Sequence, residues 1–297
     1  MSSGLDTAIG FIIPDRHVRG RIARLGPTID QILARHGYPP LIERVLGEAL
    51  VLTALLGSTL KHSEGQLTLQ AQAEGGVIDL MVCDYRDGEL RGYVRHDPDR
   101  LAEAPADPSL FALFGKGYLA ITFDQMVSGE RYQGIVPLEG GSLAEAAEAY
   151  FAQSEQIPSF VRLSVARDGE GQHIAAGLLL QHLPEGEEGR ERLHTRLDHP
   201  EWEAVHTLAA TVTSGELLDR ELPLETLLWR LFSEEGEIRV LAPVDYRRGC
   251  RCDLAYIRSV IARFPEEDRA EMVDVDGLIS VDCAFCAKRF GIDPAIG

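Results

Sequence analysis

The sequence predicts an α+β protein: an antiparallel-sheet core domain with packed helices, a helical linker and a small C-terminal domain built on four cysteines. Three observations predict it. Strand-like segments follow one another across short turns, which is hairpin rather than crossover pairing. A densely charged stretch begins at Pro184, and four of the five cysteines fall in the last 48 of 297 residues. The divisions are placed at 1–183 for the core, 184–240 for the linker and 241–297 for the cysteine domain.

Residues 10–14 and 17–25 read as early strands, followed by helices at 28–36 and 41–61. In the second helix Leu41, Val45, Ala49, Leu52, Leu56 and Leu60 share one face and the opposite face is also apolar, so it belongs mid-core against a sheet. Its most apolar run, residues 49–60, is too short for a bilayer and follows Glu43, Arg44 and Glu48. Residues 66–72, 77–85 and 89–95 predict an antiparallel meander with turns at Glu74-Gly75-Gly76 and Asp87-Gly88. Cys83, inside that pattern, reads as a small core hydrophobe. Gly115-Lys116-Gly117 lacks the rest of a phosphate loop and reads as a turn. A strand at 118–124 precedes a helix that opens with a capping box, Ser142-Leu143-Ala144-Glu145, and ends near Gln156. The last hairpin pairs 159–167 with 173–182 across Asp168-Gly169-Glu170-Gly171.

Beyond it, PEGEEGRER (184–192) carries six charges in nine residues, and fourteen acids face six arginines between Pro184 and Val240. Trp202, Val205, Ala209 and Val212 form one amphipathic stripe; Leu224, Leu227, Leu228, Leu231 and Phe232 form another. Helices so charged depend on packing against neighbours, which predicts marginal stability. An inert helical spacer has the same composition.

Cys250-Arg251-Cys252 and Cys283-Ala284-Phe285-Cys286 stand 30 residues apart. Two short clusters of soft sulfur specify a tetrahedral site for one zinc ion, with Cys250, Cys252, Cys283 and Cys286 as ligands in the reduced form. A disulfide framework fits poorly, because the first 249 residues hold only Cys83. Four sulfurs leave no open position for a substrate water, so the site is structural or a switch, and no catalytic residue is assigned. A domain this small buries too little to fold alone, and structural zinc is worth on the order of 10–16 kcal/mol in isolated peptides. If an oxidant converts one thiolate of the first pair to a sulfenic acid, its neighbour is placed to condense with it, and disulfide sulfur is a poor zinc ligand. Arg247, Arg248, Arg251 and Arg258 flank that pair, where they would favour thiolates or simply solvate the surface.

A net charge of −18, from 47 acids against 29 bases, argues against a specific nucleic-acid partner and for solubility. RNA binding through the arginines of the zinc domain stands as the alternative function. There is no HExxH pair and no nucleophile elbow, which argues against an enzyme. Cys283 and Cys286 lack a thioredoxin-like context. MSSGLDTAIG has no signal-peptide pattern, so the cytoplasm, with no membrane partner, is expected.

These residues carry a resemblance. The CxC…CxxC cluster preceded by LLWRLFSEE (227–235), GERYQGIVPLEG (129–140) with AYFAQSEQIP (149–158), the helix at 41–61 and the hairpin ending AAGLLLQ (175–181) resemble the heat shock protein 33 family of redox-regulated chaperones. The likeness spans nearly the whole chain. It implies a metastable linker and an ATP-independent holdase that binds unfolding client proteins during oxidative stress. It places the family's zinc cysteines on Cys250, Cys252, Cys283 and Cys286. It also implies disulfides Cys250–Cys252 and Cys283–Cys286 with zinc expelled on oxidation, and a homodimer of the oxidised form. The chain departs from the family at Asp253-Leu254-Ala255-Tyr256, yet Leu254, Ile257, Ile261 and Phe264 keep helical spacing. The expected switch has the linker helices packed on the reduced zinc domain and freed when it is oxidised. Trp202 and Trp229, both in the linker, would report the opening.

Overall fold

A helix that is apolar all round has to be covered all round. In the computed structural model, which describes residues 4–60, 65–125, 129, 131–183 and 200–295, α2 (Pro40–Gly57) has fourteen of its eighteen residues buried. It lies between two six-stranded sheets. Lys61, expected to end this helix, is outside the described residues.

The first sheet sets β1 (Thr7–Ile13), β2 (Val18–Leu25), β9 (His173–His182) and β8 (Ser159–Arg167) side by side, all antiparallel. Two-residue strands β10 (Arg239–Val240) and β11 (Val244–Asp245) pair with the free edge of β1. The second sheet runs β12 (Arg247–Arg248), β5 (Glu89–His96), β4 (Ile78–Arg86), β3 (Gly65–Gly75), β6 (Gly115–Gln125) and β7 (Arg131–Pro137). Its meander is the expected one, and β12 joins it parallel to β5. The α+β class is therefore as the sequence predicts. No described helix is long and apolar enough to cross a membrane.

Local readings differ in places. Gly115-Lys116-Gly117 is not a turn but the start of β6, opposite Gly75, Glu74 and Ala73. Only Gly115 has turn character, with φ 63°, where α4 (Leu110–Phe114) hands over to the strand. At α5 (Leu143–Tyr150) the capping box is half present. Ser142 Oγ accepts the Glu145 N–H at 3.2 Å, but the Glu145 carboxylate reaches Gly141 N–H at 2.8 Å. A full capping box occurs at Thr213 and Glu216, where neither was singled out. The helix does run on through a π turn at Phe151–Glu155. The short α1 (Pro27–Leu33) and α3 (Pro98–Glu103) complete the core helices.

The linker helices are α6 (Pro200–Ala210), α7 (Ser214–Leu218) and α8 (Leu224–Leu231). PEGEEGRER lies outside the described residues. The two apolar stripes are real: Trp202, Val205, Ala209, Val212, Leu224, Leu227, Leu228 and Phe232 are buried. Their partner corrects the expectation. They pack on the outer face of the first sheet, against Phe11, Ile22, Phe160, Leu178 and Leu180, rather than on the cysteine module. An amphipathic stripe specifies that a face is buried but not against what. Here β1, β2 and β9 present a second apolar face away from α2, and that face needs a cover. Gly20 makes room on it, since a Cβ there would meet the Phe11 ring at 2.1 Å. Phe11 in turn packs on Phe232, ring centres 5.8 Å apart.

Candidate metal centre

The C-terminal module holds α9 (Leu254–Ile261), α10 (Glu266–Glu271) and a hairpin of β13 (Ile279–Asp282) with β14 (Arg289–Ile292). Its buried cluster is only Ile261, Ile279 and Ile292. Of the stripe expected on α9, Ile261 is buried while Leu254 and Phe264 are 37% and 40% exposed.

The CxxC motif forms the tight turn between β13 and β14. Cys283 N–H donates to the Lys288 carbonyl at 3.0 Å, and the Cys286 and Ala287 N–H groups donate to the Cys283 carbonyl at 3.3 and 2.8 Å. The CxC motif follows β12 and leads into α9, where Asp253 caps the helix by accepting the Ala255 N–H at 2.9 Å. Folding brings the four thiols together. Cys250 and Cys283 Sγ are 3.7 Å apart, Cys252 and Cys286 Sγ are 3.7 Å apart, and all four lie within 4.8 Å of one another. Four sulfurs at about 2.3 Å from a tetrahedral zinc ion define edges of about 3.8 Å, so the donor set and its size fit such a centre. Every cysteine is a free thiol.

Burial pushes the Cys250, Cys252 and Cys283 thiols up. For Cys286 burial acts the same way, but the Lys288 N–H and the other three thiols outweigh it and the net shift is down. Two of the four flanking arginines are engaged away from the thiols. Arg247 pairs with Glu89 at 3.2 Å on the surface, and Arg251 donates to Gln66 Oε1 at 2.7 Å. Cys83 stands apart in β4, fully buried as expected, its thiol pushed far up by that burial.

The residues between the cysteines hold the module on the core. Arg251, inside CxC, reaches β3 through Gln66. Phe285, inside CxxC, lies over the Arg91 guanidinium at 3.9 Å and meets the Tyr93 ring edge-on at 4.9 Å. Arg91 is itself fixed by Asp84. His36 Nε2 meets the Phe285 carbonyl at 3.3 Å. The sequence reading missed Gln66, Arg91, Tyr93 and His36. The available signal was a bulky aromatic and an arginine in spacer positions that cysteine spacing leaves unconstrained. Between module and linker, β10, β11 and β12 tie residues 239–248 to both sheets, and Tyr246 is buried with its hydroxyl on the Ala54 carbonyl at 2.8 Å.

The family model described as Hsp33 protein matches residues 6–293. The chain belongs to the Hsp33 family. A 33 kDa chaperonin of Caulobacter vibrioides is 42% identical over 295 residues, covering 97% of this chain and 95% of that one. A 33 kDa chaperonin of Ectopseudomonas mendocina is 40% identical over 96% of this chain and 91% of that one. The crystal structure of the Thermotoga maritima 33 kDa chaperonin shares the fold, with a TM-score of 0.79 at 24% identity, covering 98% of this chain and 96% of that one. The Hsp33 resemblance carried by the sequence motifs therefore holds along the chain, core, linker helices and cysteine module together.

Proposed function

We propose that the chain is a redox-regulated, ATP-independent holdase chaperone, closed while reduced and open once oxidised. It is organised as a substrate-binding core at 1–183, a metastable linker at 184–240 and a redox-sensing zinc domain at 241–297. The observation that carries the reading is the covered sheet face. Phe11, Ile22, Leu178 and Leu180 lie fully buried beneath helices of eleven, five and eight residues. Isolated helices shorter than roughly 12–15 residues are marginal in water, so these persist by packing on the sheet.

Cys250, Cys252, Cys283 and Cys286 are the proposed ligands of one zinc ion. Bound there, zinc supplies a closed four-sulfur centre that ties the two motifs into one folded module. Oxidation joins Cys250 to Cys252 and Cys283 to Cys286. In each pair one thiolate attacks peroxide, expels hydroxide and becomes a sulfenic acid; the neighbouring thiolate attacks that sulfur and expels a second hydroxide. Two electrons pass from the pair to one peroxide, whose two oxygens leave as hydroxides and take protons from solvent to become water. Cysteines bound to each other no longer hold the ion. Drawing sulfurs together to about 2.05 Å displaces Arg251 and Phe285 and undocks the module. The strap at 239–248 loosens, α6–α8 leave, and the apolar face takes up unfolding client proteins. The abundance of acids keeps this open form soluble. The relatives' name, 33 kDa chaperonin, supports the chaperone reading. From the family likeness we add a cytoplasmic location and a homodimer of the oxidised form.

The test is one titration with peroxide at mild heat, following metal release, free thiols, tryptophan emission and suppression of client aggregation. All four are expected to move together. Metal that stays bound as thiols disappear, or full aggregation suppression by the reduced protein, rejects the switch.

A further inference from the structure

Arg24 is the largest fully buried side chain among the described residues, with no exposed surface, and no carboxylate bonds it. Its Nε donates to the Leu217 carbonyl at 2.8 Å, Nη1 to the Leu222 carbonyl at 2.8 Å and Nη2 to the Glu216 carbonyl at 3.4 Å. The carbonyls of Glu216 and Leu217 are those a five-residue helix such as α7 leaves free at its C-terminal end. Leu222 follows the turn behind it. The guanidinium thus grips the linker by its main chain, whatever side chains that turn carries. Asp219 acts on it only through space.

Register places this grip on the covered face. Arg24 sits in a row with Thr7, Ala176 and Ser164, beside the row Ile9, Ile22 and Leu178, and then Phe11, Gly20, Leu180 and Phe160. With α6–α8 removed, the face is an apolar strip ending in a fork of hydrogen-bond donors. An apolar strip attracts any greasy surface. The fork asks for more, because carbonyls inside a folded helix or sheet are already bonded and those of an unfolded segment are free.

We infer that Arg24 is a main-chain recognition residue shared by linker and client: the turn at 216–222 occupies, in the closed form, the place an unfolded polypeptide takes in the open one. The ligand is a segment with free carbonyls flanked by apolar side chains, as Leu217, Leu222 and Leu224 flank the turn. The inference rests on the proposed switch and names what its open sheet binds. A charge buried without a counter-ion is tolerated only while its hydrogen bonds are complete, so losing one carbonyl favours release of the whole turn.

The test uses the full-length protein, treated with peroxide and heat and titrated with labelled carboxymethylated lactalbumin, a permanently unfolded chain. Arg24→Met is expected to bind it roughly fivefold more weakly than the parent, and Arg24→Lys, which keeps the charge without the fork, is expected to be weakened too. Binding of an apolar dye to the opened sheet is expected to be alike in all three. A synthetic peptide of residues 213–224 is expected to displace lactalbumin from the parent. Parent-like affinity in Arg24→Lys, or a peptide that does not compete, overturns the inference even where Arg24→Met fails to fold. An oxidised parent that binds no lactalbumin rejects the switch itself, and the inference with it. A parent that binds while its variants bind equally rejects the inference alone.

Discussion

Phe285 separates the two tasks of the cysteine module, since its ring touches Arg91 and Tyr93 of the core while only its main-chain N–H faces a thiol, that of Cys283. Phe285→Ala is expected to weaken docking by about 1–2 kcal/mol, the sum of a cation–π and an edge-to-face contact. Metal content is expected to stay at the parent level. Hydrogen exchange over residues 250–292 reads the loss as faster exchange with the sheets unchanged. Glu148 offers a pH-dependent case. Burial pushes its carboxyl above the usual carboxylate range, although Val161 N–H donates to it at 2.7 Å. An acid raised in this way costs stability where it is ionised: the cost is absent below the ordinary carboxylate pKa of about 4.3 and complete above the raised value. Glu148→Gln keeps an acceptor for Val161, so thermal melts are expected to show a gain of about 1–2 °C at neutral pH that vanishes near pH 4. The four thiols were legible from spacing alone. The contacts of Arg251 and Phe285 were not, because a spacer position says nothing about what lies opposite it in the fold.

At the scale of elements the two tryptophans part company. Trp202 is 7% exposed against the sheet, while Trp229 is 60% exposed already. The red shift on oxidation is therefore expected from Trp202 alone: Trp229→Phe keeps the whole shift and Trp202→Phe abolishes it, as emission spectra before and after peroxide will show. The long helix, the meander and the last hairpin were legible because each repeats its period over many residues. Strands β10, β11 and β12 have two residues each, too few for any period to appear. Strand β7 alternates in burial from Gln133 to Pro137, but with the small Gly134 buried and the large Ile135 exposed its residue types hide the period.

For the whole molecule, stability is unevenly spread. The core gathers α2 and both sheets into one large apolar cluster, whereas the module's own buried cluster is three isoleucines, with Phe290 and Cys286 buried beside it. Chelation of the metal is expected to unfold residues 250–292 while α2 and the sheets keep their protection, measured by hydrogen exchange with and without chelator. Protection of the module that survives complete metal removal would contradict this. The location of the linker was the largest feature the sequence did not disclose, since the apolar faces of β1, β2 and β9 become recognisable as a single surface only when their register is known.

Residues 239–248 also shield two borders at once, β1 in one sheet and β5 in the other. A polypeptide ending at residue 238 would leave both with bare main-chain donors and acceptors, an invitation to neighbouring molecules. In sedimentation such a truncated form is expected to grow in size with concentration more steeply than the intact reduced chain. The chain from residue 239 onward would then be what keeps these two borders from pairing with a second copy.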